Sequence, residues 1–212
     1  MKYFLTLLVV IASTSFAHCQ YDWSKGELVL KNGTSLNGLI KLPTVSKDLI
    51  AINGREKVRF KTNKKSKTEK YDETQVKQII FRPSDTETAY FEYVPVSKNK
   101  HGIFKVITRG NATLYGKTVS TTSSAPMYMG GPTGGVHPTH YMYSFNDYNE
   151  FYVMRENEAI ASPLITVRIS RSFKNRAIEY FADCPAIVSK LEEKEYRKED
   201  IKEMIEDYNK CR

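Results

Sequence analysis

The sequence is poor in cysteine and histidine, with 3 Cys and 4 His among 212 residues. Three cysteines are too few for a disulfide scaffold, and four histidines are a small supply for metal or acid–base chemistry. The chain also lacks the phosphate-cradling Gly-x-x-x-x-Gly-Lys, the Gly-x-Ser-x-Gly nucleophile elbow and the His-Glu-x-x-His zinc motif. These absences exclude the local signatures of three large enzyme classes, although catalytic groups can also assemble from distant positions.

The spacing of the few candidate catalytic residues is only weak evidence for a site. His137 and His140 lie in one loop with Asp147 beyond them, but a metal site also needs ligands held on rigid elements. The Ser123–Ser124 pair and His101 are a conceivable nucleophile and base, and nothing in their spacing holds them together. We therefore predict no catalytic, cofactor-binding or metal-binding residues. A hydrolase acting on envelope polymer is kept as the alternative function.

The chain has one apolar run of note, at its N-terminus. A single lysine precedes Tyr3–Ala12, which is shorter than the roughly 20 residues of a membrane helix. Ser15-Phe16-Ala17 fits the small-x-small cleavage pattern, so we predict a signal peptide over residues 1–20 and export to the periplasm or cell surface. Lipid attachment at Cys19 is the alternative, which the bulky His18 fits badly. No later segment is apolar enough to predict a transmembrane helix.

Export changes what is expected of the two remaining cysteines, because thiols in an oxidising compartment tend to pair. They lie in residues 169–212, where helical periodicity predicts three short helices, the second starting at Pro185 and capped by Asp183 or Cys184. Cys184 falls at the junction of the first two helices and Cys211 at the end of the third. We predict a Cys184–Cys211 disulfide that contributes about 3–4 kcal/mol. Two unrelated buried thiols are the alternative.

The sequence pattern of residues 21–168 predicts a β-rich body. Short apolar or alternating runs are bounded by turn residues, and Asn32-Gly33 is a strong hairpin signal. With the helices this predicts an α+β fold, a mainly antiparallel meander over 21–83 and 84–168 followed by a helical segment over 169–212. The predicted strands are Glu27–Leu30, Leu36–Leu42, Leu49–Ile52, Lys57–Lys61, Val76–Phe81, Ala89–Val96, Ile103–Thr108, Thr113–Thr118, Tyr141–Phe145, Glu150–Arg155 and Leu164–Ile169.

The first hairpin carries a resemblance to a known fold. Leu30–Ile40, with its Asn-Gly turn and Gly-x-hydrophobic second strand, resembles the opening of an SH3-like or Sm-like small barrel. The resemblance implies a barrel-like start over residues 21–83. Sm-like RNA chaperones carry a tyrosine-lysine-histidine motif that contacts RNA, whereas the comparable Lys70–Thr74 has no histidine and two acids. The resemblance therefore implies a barrel, and the departure from the motif argues against RNA binding.

A second resemblance covers most of the chain. Several segments, above all the C-terminal Asp-Cys-Pro and Tyr-Asn-x-Cys pieces, are similar to uncharacterised secreted proteins of Bacteroidetes. This resemblance implies an exported module and no particular activity. The segments are Phe104–Ile107, Gly110, Leu114–Tyr115, Phe151–Val153, Tyr180–Pro185 and Tyr208–Cys211.

One long loop is a candidate binding segment. Ser120–Pro138 is rich in glycine and proline, which deny it helix and strand, and Met127, Tyr128 and Met129 form an apolar tip. Loops of this length are usually functional or disordered. The two interpretations are a partner-binding loop and an insertion between two strands.

The positive charge is concentrated in one run. The net charge is +8, which becomes 8 − 1 = +7 after a signal carrying one lysine is removed, and Lys57–Lys70 holds seven Lys/Arg against one acid. The interpretations are a solvated hairpin tip that protects a sheet edge and contact with anionic envelope lipid or polysaccharide. Nucleic acid is disfavoured by export and by the lack of interleaved aromatics. The predicted patch comprises Lys61, Lys64, Lys65, Lys67 and Lys70.

These observations together predict an exported cell-envelope binding or assembly module without catalytic activity or cofactor. Its expected partner is an envelope protein or an anionic envelope polymer or lipid.

Overall fold

A computed structural model describes residues 23–43, 56–82, 85–117, 148–166 and 172–211. The described chain is mainly antiparallel sheet with three short helices at its C-terminal end. The strands are β1 (Ser24–Leu30), β2 (Ser35–Lys41), β3 (Val58–Lys61), β4 (Glu69–Tyr71), β5 (Val76–Phe81), β6 (Ala89–Ser97), β7 (Lys100–Thr108), β8 (Ala112–Lys117), β9 (Glu150–Arg155) and β10 (Ser162–Ile165). The helices are α1 (Phe173–Tyr180), α2 (Pro185–Glu192) and α3 (Ile201–Tyr208), with a 3₁₀ turn at Lys198–Asp200 before α3.

The ten described strands form one open sheet in the order β10-β9-β8-β7-β6-β5-β1-β2-β3-β4. After β4 the chain returns to pair β5 with the free side of β1, and β5 to β10 then follow as a meander. The Tyr93 hydroxyl of β6 lies 2.8 Å from the carbonyl oxygen of Glu56 and 3.2 Å from that of Tyr71 in β4. The first strands therefore curl toward β6, but the sheet is open, and the barrel-like start expected from the first hairpin is not confirmed.

Most of the predicted strands are present within one to three residues of their expected ends, and Val76–Phe81 and Glu150–Arg155 match in full. The prediction missed β4. The expected strands Leu49–Ile52 and Tyr141–Phe145 lie outside the described residues. So do the predicted signal, Cys19 and the loop Ser120–Pro138.

Two hydrophobic clusters flank the sheet at its two ends. The first lies inside the curled strands, where Leu28, Ile40, Val58, Phe60 and Ile79 are buried. The second lies between β8 to β10 and the helices. Its buried members include Leu114, Val153, Leu164, Phe181 and Met204. The helices are therefore stabilised by packing their apolar sides against one face of the last strands, as their apolar periodicity predicts.

The Cys184–Cys211 disulfide is present, with the two Cα atoms 6.3 Å apart. It joins the residue before α2 to the end of α3, as the helical periodicity and cysteine positions predict. Cys184 is the N-cap residue of α2 but makes no side-chain capping bond. Asp183 is engaged elsewhere, because its carboxylate accepts from Arg155 and from the Tyr208 hydroxyl, each at 2.8 Å.

Candidate basic site

Cationic side chains share the outer face of the first strands. In antiparallel strands, directly opposed residues point to the same face. Lys41 of β2 lies opposite Arg59 of β3, and Arg59 lies opposite Lys70 of β4, so three cations stand in one row across three strands. The alternate residues Ile40, Val58 and Phe60 point inward and are buried. The alternation that buries the core thus places this row on the outer face, where Arg59 and Lys70 are exposed and Lys41 is half-buried.

A second row runs parallel to the first. Lys25 of β1 lies opposite Leu39 of β2, and Leu39 lies opposite Lys61 at the end of β3. Arg82, just past β5, joins this face through a 3.3 Å ion pair with Glu27. We call this surface the basic face. It comprises Lys25, Lys41, Arg59, Lys61, Lys70 and Arg82.

The charges on the basic face are poorly balanced. Lys25, Lys41, Arg59 and Lys70 have no carboxylate partner within the described parts of the chain. Neighbouring strands are about 4.8 Å apart and residues two apart on a strand about 6.7 Å. These spacings are shorter than the Debye length of about 8–10 Å. The positive charges therefore reinforce one another in a single electrostatic potential.

Glu69 is next to Lys70 in sequence and its negative charge would offset the row Lys41–Arg59–Lys70, but its side chain lies on the other side of β4. It lies opposite the buried Phe60, and the Tyr71 hydroxyl donates to its carboxylate at 2.6 Å. Burial, the hydrogen bond to Glu69 and the charge of Glu69 raise the pKa of Tyr71 to about 12. The carboxylate is therefore committed to Tyr71 on the opposite side of β4 from Lys70.

One aromatic side chain borders the basic face. The Lys61 ammonium lies 4.6 Å from the centroid of the Trp23 ring, at a cation–π distance. This contact holds Lys61 without neutralising its charge.

The predicted basic patch lies on and beside this surface. Lys61 and Lys70 belong to the basic face, whereas Lys64, Lys65 and Lys67 lie in the β3–β4 turn. The Asn63 side chain organises this turn by accepting from the backbone N–H groups of Lys65 and Ser66 at 3.0 and 3.1 Å. The turn therefore holds three exposed lysines next to the basic face, and Lys64 lines a cavity together with Lys25.

Sequence reasoning missed the contributions of β1, β2 and the end of β5. Lys25, Lys41, Arg82 and Trp23 are distant from the basic run in sequence and join it only through strand pairing. The signal that could have found them is alternation, because Lys25 and Lys41 have the opposite parity to the buried Leu28 and Ile40.

The other sequence candidates do not form a site among the described residues. His101 lies in β7 opposite Pro95, and three surface cavities near Lys25, Arg109 and Arg155 have no histidine in their lining. Where the structure describes the chain, no three His, Cys, Asp or Glu residues cluster as metal ligands. His137, His140 and the Met127–Met129 tip lie outside the described residues.

The hydrolase alternative would need carboxylates that converge in a cleft, and one cavity has two acidic residues in its lining. Glu156 and Asp183 line one cavity of about 600 Å³ beside the disulfide. Arg155 spans this region, bonding Asp183 and the carbonyl oxygen of Tyr180 at 2.8 Å each. Both Asp183 oxygens accept hydrogen bonds. The carboxylate therefore joins β9 to the helices.

Comparisons with known proteins give no match to a family model, a curated protein or a solved structure. In the described part of the chain, no helix is both long and apolar enough to cross a membrane.

Proposed function

We propose that the protein is a non-catalytic binding module that attaches to anionic material of the cell envelope through the basic face. The row Lys41–Arg59–Lys70 carries this proposal, because like charges directly opposite on a sheet destabilise it. A row with no acid among the described residues is a cost to folding that a bound anion offsets. Lysines that only kept a hairpin tip soluble would not need to be aligned across three strands.

The proposed location rests on two observations. The sequence begins with the pattern of a signal peptide, and the Cys184–Cys211 disulfide suits an oxidising compartment. Anionic lipid phosphates, acidic polysaccharides and acidic faces of envelope proteins all present the required charge there.

The test compares binding with stability. In low salt, Arg59→Gln/Lys70→Gln should weaken binding to anionic polysaccharide and to anionic vesicles about 30-fold, at ~1 kcal/mol per lost charge. The same variant should unfold at an equal or higher urea concentration, because cross-strand repulsion is relieved. Wild-type binding should fall steeply as salt is added.

A matched control removes two charges elsewhere. Lys98 and Lys198 are exposed, in the β6–β7 turn and before α3. Lys98→Gln/Lys198→Gln has the same net charge as the test variant and should bind nearly as wild type. Equal losses in both variants would show a general charge effect and contradict the basic face as the site.

A further inference from the structure

A groove lies beside the basic face, between strands β1–β2 and the β3–β4 turn. Its volume is about 640 Å³, within the range of about 300–1,000 Å³ of small-molecule sites. Gly26 and Gly38 line it and lie directly opposite each other. A Cβ at Gly38 would overlap the carbonyl oxygen of Lys61, and one at Gly26 would lie 2.7 Å from that of Ile80. The sheet therefore bends tightly here, as paired glycines permit.

The groove combines three kinds of contact. Lys25 and Lys64 supply positive charge around it, whereas Arg82, also in the lining, is ion-paired with Glu27. The Asn37 amide and the Thr62 hydroxyl line it and have no hydrogen-bond partner within the described residues. Leu39, half-buried between Lys25 and Lys61 in the second row, adds apolar surface.

This combination matches the chemistry of an acidic sugar. Such a sugar carries an anionic group for the cations, hydroxyls for the amide and the Thr62 hydroxyl, and a C–H face for Leu39. A lipid surface would instead call for apolar side chains that insert into it. The turn Thr62–Thr68 has none, and the exposed large hydrophobics of the described chain, Tyr90 and Ile160, lie outside the groove lining.

We propose that this groove binds a carboxylated, sulfated or phosphorylated sugar unit of an anionic polysaccharide. This inference rests on the proposed function, since the basic face would attract the polymer and the groove would select the sugar. Steering by the face is strongly screened by salt, whereas hydrogen bonds inside the groove are screened much less.

The single tryptophan of the chain is a built-in reporter for the test. Trp23 lies two residues before Lys25 and contacts Lys61, so a ligand on the second row should change its fluorescence. The probes are oligogalacturonate, a neutral maltooligosaccharide and phosphatidylglycerol vesicles. We expect saturable binding of oligogalacturonate, and little binding of the neutral sugar.

A charge-neutral groove variant separates the two proposals. Asn37→Ala/Thr62→Val should weaken oligogalacturonate binding about tenfold, as expected for two lost hydrogen bonds, without changing its salt dependence or vesicle binding. The matched control is Asn99→Ala/Thr88→Val, at two exposed positions outside the groove lining. It should bind as wild type.

The outcomes are distinct. Salt-dependent binding that the groove variant leaves unchanged would overturn the sugar site and keep the basic face. Equal affinity for the neutral sugar, or binding to vesicles alone, would also overturn the sugar site. Absence of binding to every anionic probe in low salt would overturn both proposals.

Discussion

Asn209 fixes the position where the helical segment meets the sheet. Its side chain accepts from the backbone N–H of Ala112 at 2.8 Å and donates to the carbonyl oxygen of Ala112 at 3.0 Å. One amide thus pairs both backbone groups of the first residue of β8. Gly110 makes this approach possible, because a Cβ at that position would overlap the Asn209 amide.

Gly110→Ala should therefore lower the free energy of unfolding by about 1–3 kcal/mol, through overlap and loss of the two hydrogen bonds. Urea unfolding of the single and double variants measures it. In an Asn209→Ala background the overlapping atoms are gone, so the same glycine substitution should cost less than about 1 kcal/mol. Additive costs would show that Gly110 is required for another reason.

Single-residue roles were predictable where they depend on local sequence. The Asn32-Gly33 turn was predicted and is present, with Gly33 at a φ of 88° and the Asn32 side chain accepting from Thr34 N–H at 3.0 Å. Of the two predicted caps of α2, Cys184 occupies the N-cap position, whereas the Asp183 carboxylate accepts from Arg155, 28 residues earlier in the chain. Capping preference is a local property, and this competing partner depends on how β9 meets the helices.

At the scale of elements, the strength of the apolar pattern decided what could be predicted. Ile201, Met204, Ile205 and Tyr208 recur at helical spacing and are buried in α3. By contrast, β4 is three residues long and begins with two charged ones. It exists through its pairing with β3 rather than through its own pattern. The pairing of β5 with β1 was also not predictable, because it is not contained in the pattern of either strand alone. The extent of the basic face depends on such pairings and was therefore not predictable either.

The disulfide should act on the helical segment as a unit. Cys184→Ser/Cys211→Ser should lower the free energy of unfolding by about 3–4 kcal/mol, because the bond closes a loop of 27 residues in the unfolded chain. Urea unfolding with and without reductant measures this. The reductant should weaken wild type to the level of the variant and leave the variant unchanged. If both thiols of the purified protein label without reductant, the bond is absent in solution.

The same variant also tests whether the two ends of the sheet work independently. The basic face packs over the first hydrophobic cluster, whereas the disulfide belongs to the second. In conditions where the variant stays folded, binding to anionic polysaccharide should be unchanged. A parallel loss of binding would show that the helices support the basic face through the sheet.

For the whole molecule, buried and half-buried tyrosines make the stability of the fold sensitive to alkaline pH. Burial is the main cause that raises the pKa of six of them, with nearby carboxylates adding to it. Tyr180, for example, donates to Glu158 at 2.7 Å, and ionisation would remove that donor. The six tyrosines are Tyr71, Tyr93, Tyr115, Tyr180, Tyr196 and Tyr208.

The sign of the pH dependence follows from these raised pKa values. Unfolded tyrosines ionise near pH 10, and Tyr71 does so near pH 12 in the folded protein. Between these values the folded protein holds more protons, so its stability is full below about pH 10 and is lost as the pH rises toward 12. The urea midpoint should follow this course. Tyr180→Phe should reduce the pH dependence of the free energy of unfolding by less than about 1.4 kcal/mol per pH unit, since Tyr180 is only partly buried. Tyr90→Phe, at an exposed position, is the matched control. Lysines deprotonate in the same pH range, and their effect on stability is common to both variants. Equal slopes in the two variants would contradict a role for the buried phenols.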